Sequence, residues 1–105
     1  MDLLRGTLDL LVLRTLSSGP SHGYAITKAI LAATDEVLNV EEGSMYPALY
    51  RMEKRGWIVA DWGVTATKRR AKFYELTPAG RTQLDAESSS WSDFSTAVAK
   101  VLESN

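Results

Sequence analysis

A mainly α fold with a small β wing and a long C-terminal helix is what this sequence predicts, and three observations predict it. Apolar residues recur at helical spacing in four separate stretches of the 105 residues. Residues 57–62 and 72–77 are instead rich in β-branched and aromatic side chains, the composition of strands. The polar segment joining those two strands ends in Lys68-Arg69-Arg70, a cationic loop between strands.

The first helix is expected over residues 3–16, where Leu4, Leu8, Leu11 and Val12 keep the spacing of one face. Further leucines spill around the cylinder, so burial on more than one side is expected. Ser18-Gly19-Pro20 stops it. Ser21 is the expected cap of a second helix whose apolar residues are Tyr24, Ile26, Ile30 and Leu31. Residues 37–40 are too short for a helix and read as a brief strand or extended turn. A third helix is expected over 43–55. Its wheel gathers Met45, Leu49 and Met52 on an inner face and Ser44, Pro47, Tyr50, Arg51 and Lys54 outside. Pro47 is tolerated in a first turn, which places the start near 42–44. Gly56 ends the helix. After the two strands, Thr77-Pro78 supplies a cap and a first helical proline. A helix of about 25 residues, roughly 37 Å, then runs to the end, with Ser88-Ser89-Ser90 as a weak spot. The order helix, helix, short strand, helix, strand, strand, long helix is that of a winged helix-turn-helix with one appended helix. Residues 1–77 form the expected winged domain and 78–105 the appended helix.

Charge is divided along the chain. Residues 51–81 hold eight bases (Arg51, Lys54, Arg55, Lys68, Arg69, Arg70, Lys72, Arg81) against three acids (Glu53, Asp61, Glu75). Residues 35–42 hold four acids and no base, and residues 82–105 hold four acids and Lys100. Attraction to phosphate depends on where charge sits, so a net charge of −1 is compatible with a nucleic-acid partner. Other classes are poorly served. With no cysteine and one histidine, thiolate and multi-histidine metal sites within one chain are excluded. Neither a phosphate-cradling glycine loop nor a buried base argues for an enzyme, and no cofactor is expected. No apolar run approaches the roughly 20 residues of a membrane span. The N-terminus does not read as a signal peptide, and a reducing cytoplasm is permitted.

The outer face of the third helix, Ser44, Tyr46, Pro47, Tyr50, Arg51 and Lys54, competes with a plain reading as a solvated surface. Exposed tyrosines beside a proline, followed at once by a basic wing of Thr67, Lys68, Arg69 and Arg70, favour contact with double-stranded DNA. Arg51 suits guanine in the major groove and Lys54 suits phosphate; Ser44 and Tyr46, near the helix start, suit either target. His22 has no acid or thiol partners nearby and reads as a hydrogen-bonding residue at the second helix start. Leu84, Trp91, Phe94, Val98 and Val101, spaced 7, 3, 4 and 3, make a heptad-like seam. Exposing it on a monomer is costly, so it is the expected dimer interface. Trp91 and Phe94 are the candidate pocket for a flat aromatic small-molecule effector. The alternative to DNA binding is a winged-helix module used for protein–protein contact, which would tend to lose the basic wing.

The chain also resembles the PadR family of bacterial transcriptional regulators. Gly6-Thr7-Leu8-Asp9-Leu10-Leu11-Val12-Leu13 is similar to that family's first helix, and His22-Gly23-Tyr24 to the start of its second. Glu42-Gly43-Ser44-Met45-Tyr46-Pro47-Ala48-Leu49 is similar to its recognition-helix signature, with Met45 where leucine is commoner. Arg51-Met52-Glu53, Gly56-Trp57-Ile58 and the stretch 69–80 continue the match. The resemblance implies a cytoplasmic homodimer that binds a palindromic operator, usually as a repressor. It implies dimerisation through the C-terminal helix, often with the partner's N-terminal helix, and a short type with one such helix.

Overall fold

The computed structural model describes residues 5–104. The elements are α1 (Arg5–Leu16), β1 (Ser21–His22), α2 (Gly23–Ala33), α3 (Glu42–Lys54), β2 (Ile58–Val64), β3 (Arg70–Leu76) and α4 (Pro78–Glu103). The expected first-helix residues Leu3 and Leu4 lie outside the described residues.

Leu8, Val12, Leu13 and Leu16 of α1 are buried, and Leu10 and Leu11 pack partly against the same cluster. This helix is therefore covered on several sides, as its surplus of leucine requires. Ile26 and Ile30 of α2, and Met45, Ala48, Leu49 and Met52 of α3, close the core with Val40, Ile58, Tyr74 and Leu84. Burial pushes the Tyr74 phenol above its ordinary pKa despite the opposing charge of Lys72, so it stays neutral at physiological pH.

The sheet has three antiparallel strands in the order β1-β3-β2. In the hairpin, Ile58 pairs with Leu76 and Val64 with Arg70. Ile58 is buried, but Asp61, Trp62 and Val64 are exposed, so the hairpin leaves the core after its first residues and projects as a wing. Its turn is closed by Lys68 N–H to the Thr65 carbonyl (2.9 Å) and Thr65 N–H to the Arg69 carbonyl (2.8 Å). Lys68 takes a positive φ of 62° at the tip. The loop is shorter than expected: Arg70 is the first residue of β3.

Three local expectations are corrected. Residues 37–40 form no strand, since Asp35 and Glu36 at φ 51° and 67° reverse the chain instead. Thr34 anchors that reversal: its hydroxyl donates to the Ile30 carbonyl (2.8 Å) and accepts from Leu38 N–H (3.0 Å). The third strand is β1, where Ser21 pairs with Tyr74 and His22 with Phe73. Ser21 is consequently not the cap of α2. His22 is, and its Nδ1 accepts the Ala25 N–H at 3.3 Å. Finally, α3 starts at Glu42, so Pro47 stands in its second turn rather than its first. The Gly43 carbonyl loses its helical donor there, and Gly43 is exposed, which leaves that carbonyl to water.

Gly56, at φ 78°, ends the helix–strand junction after α3. The Thr77 hydroxyl ties this junction to α4. It donates to the Gly56 carbonyl (2.6 Å) and accepts the Gly80 N–H (3.0 Å). Pro78 follows as the expected first helical residue. The helix continues through Ser88-Ser89-Ser90 without a break. Gly80 and Leu84 are buried, so the first two turns of α4 belong to the packing of the winged domain.

Candidate nucleic-acid interface

Ser44, Tyr46, Pro47, Tyr50 and Lys54 are exposed together on α3, over buried Met45, Ala48, Leu49 and Met52. The Lys54 ammonium lies 5.3 Å from the Tyr50 ring centroid. Tyr46 packs on α2 at Gly23, where an added Cβ would come within 2.9 Å of its ring. The two segments that stood out in the sequence, His22-Gly23-Tyr24 and Tyr46-Pro47, thus meet in space. Glycine at 23 makes that approach cheap.

Arg51 does not join this face. Its Nη2 donates to Asp9 Oδ1 of α1 at 2.5 Å, and the two side chains are 22% and 5% exposed. The wheel placed Arg51 outward because it carries no information about a carboxylate 42 residues away. A long side chain at the edge of the inner face bends to reach one.

Thr67, Lys68, Arg69 and Arg70 are all exposed on the wing. The Arg70 guanidinium stacks on Trp62, 4.5 Å from its centroid. Between the wing and α2 lies an open cleft of about 1260 Å³. Lys28, Arg69, Arg70 and Lys72 line it with Tyr24, Tyr46 and Trp62, and no acid does. Sequence reasoning missed Tyr24 and Lys28. They were readable as an i, i+4 pair on α2, and the lysine lies 5.7 Å from the tyrosine ring. Tyr46 belongs both to the exposed α3 face and to this cleft, whose lining is cationic and aromatic.

The C-terminal seam divides. Leu84 is only 4% exposed and belongs to the domain's own core, which corrects its assignment to a dimer interface. Trp91, Phe94, Val98 and Val101 are exposed, and so is Leu102, which the heptad spacing did not include. The Trp91 and Phe94 ring centroids are 6.0 Å apart. They line a shallow cleft of about 320 Å³ between α4 and the start of α1, with Thr7, Leu10 and Glu87.

The model of the transcriptional regulator PadR-like family matches residues 12–86. The chain belongs to that family. A transcriptional regulator from Clostridium thermocellum is similar in structure, with a TM-score of 0.85 and 34% identity, over 95% of this chain and 97% of that one. A PadR-like transcriptional regulator from Bacillus cereus superposes with a TM-score of 0.81 and 29% identity, over 97% of each chain. Among curated proteins, the transcriptional regulator Rv3488 of Mycobacterium tuberculosis is 29% identical over 79% of this chain and 74% of its own. The PadR-like chain is thus a mainly helical winged-helix transcriptional regulator, and its family is not one of enzymes. Among the described residues no helix is long and apolar enough to cross a membrane. No group of three candidate ligand residues among them could hold a metal ion.

Proposed function

We propose that this PadR-like regulator is a cytoplasmic homodimer that binds a palindromic operator as a repressor and is released by a small aromatic molecule. The observation that carries DNA binding is the cleft joining Tyr46 to the wing cations Arg69 and Arg70, which no acid lines, although Lys72 within it pairs with Glu53 at 3.4 Å. Arg69, Arg70 and Lys54 suit phosphate, and Tyr50 suits the groove. Glu41 and Glu42 stand exposed at the start of α3 and disfavour phosphate beside Ser44, which leaves base-edge contact for it. The exposed strip of Trp91, Phe94, Val98, Val101 and Leu102 supports self-association, because a lone chain gains by covering it. A two-fold dimer sets two α3 helices about one DNA turn apart, roughly 34 Å.

A gel shift with the duplex upstream of its own coding region tests the reading. One discrete complex containing two chains is expected, and a scrambled duplex of equal length is not retained. Val98→Asp, on an exposed surface, should give one chain's mass by sedimentation at every concentration and lose the complex. A wild-type chain that sediments as a monomer throughout would end the dimer proposal. Effector binding at Trp91 and Phe94 predicts quenching of tryptophan fluorescence by planar aromatic compounds, and Trp91→Ala should abolish it. Quenching retained in that variant would move the site elsewhere.

A further inference from the structure

The Asp9–Arg51 pair is more directional than the packing around it. The inner face of α3 is Met45, Ala48, Leu49 and Met52, all buried. Two of these are methionines, which repack readily and therefore hold a helix's rotation loosely. Arg51 reaches out of this soft contact to Asp9, which is 3% exposed on α1. The Arg51 Nε is buried and has no partner among the described residues. Burying two charges costs desolvation, and apolar side chains of similar volume would fill the space at least as stably. Stability alone is a poor account of the pair. A charge-assisted hydrogen bond supplies orientation, because it is satisfied in a narrow range of geometry.

We infer that Arg51 is a positioning residue. Through Asp9 it sets the rotation of α3 about its axis, and so the edge that Tyr46 and Tyr50 present to DNA; it does not read a base itself. The inference rests on the DNA-binding reading. It also gives α1 two contacts of consequence, since Leu10, beside Asp9, lines the cleft with Trp91.

Asp9→Asn, Arg51→Gln and the double variant separate positioning from reading. Each is compared with wild type for affinity to an operator chosen by selection and to a random duplex of equal length. The temperature is one at which circular dichroism shows every variant folded. Both single variants should lower the operator-to-random affinity ratio by about tenfold, the scale of one charge-assisted hydrogen bond. The double variant should be no worse than either, and the salt slope should not change. If Arg51→Gln lowers the ratio while Asp9→Asn and also Asp9→Leu, which removes the acceptor that asparagine keeps, leave it intact, Arg51 reads DNA directly and the inference falls. It falls too if both variants keep the wild-type ratio.

Amide hydrogen exchange gives a readout without DNA. Residues 50–54 should exchange faster in Asp9→Asn, with β2 and β3 protected as in wild type. Uniform acceleration, or none, contradicts positioning. A wild type that binds neither duplex would remove the DNA reading, and this exchange pattern would then decide the positioning role alone. Arg51→Lys keeps the charge without the fork, and its expected loss of α3 protection is smaller. It serves if Asp9→Asn does not fold.

Discussion

Gly80→Ala lowers the melting temperature by roughly 8–16 °C. An added Cβ at Gly80 would lie 2.0 Å from the Trp57 carbonyl oxygen and 2.8 Å from Leu76 Cδ1. The first obstacle is backbone, and it is held by the Thr77 N–H at 3.0 Å, so it does not yield as a side-chain tip does. The start of α4 must move away from the α3–β2 junction, with loss of the Thr77 bonds and the burial of Leu84. Alanine is the better helix former by about 1 kcal/mol, and overpacking of this kind costs up to about 3 kcal/mol or more. A net loss near 2 kcal/mol corresponds to the stated shift for a domain of this size. A thermal melt by circular dichroism, at one protein concentration because association raises stability, measures it. A wild-type melting temperature would mean that α4 is not seated as described.

Lys68→Ala/Arg69→Ala/Arg70→Ala removes the second largest quantity, the wing's charge. The hairpin should survive, because its turn is closed by backbone groups and by the Thr65 hydroxyl on Arg69 N–H, at 3.1 Å. Each phosphate neutralised adds about −0.9 to the slope of log affinity against log salt. Loss of two to three contacts therefore flattens the slope by roughly 2–3, and near 0.1 M salt it weakens binding by about 10²–10³-fold. Titration at four or five salt concentrations gives both numbers. An unchanged slope would remove the wing from the interface.

Much of this was legible in the sequence, and the exceptions share a cause. The cap at Thr77-Pro78, the stop at Gly56 and the inner face of α3 follow from local rules of capping and period, and each stands where expected. β1 was not legible, because two residues make no alternation; it exists only because β3 offers an edge. Arg51 and Leu84 were placed by periodicity, and both were claimed by distant partners. Arg51 found Asp9, and Leu84 was pulled into the core by the close seating of Gly80 on Trp57. The wing cations were legible as chemistry. Their partnership with Lys28 and Tyr24 was not, because the cleft that joins them is made by the fold.

The central claim is that two α3 helices, paired through α4, read two half-sites. Hydroxyl-radical footprinting of a duplex selected from a random library measures this most directly. Two protected half-sites related by dyad symmetry, centred about 10 base pairs apart, are the expected result. Protection of one isolated half-site, or the absence of any protected duplex after selection, would contradict it.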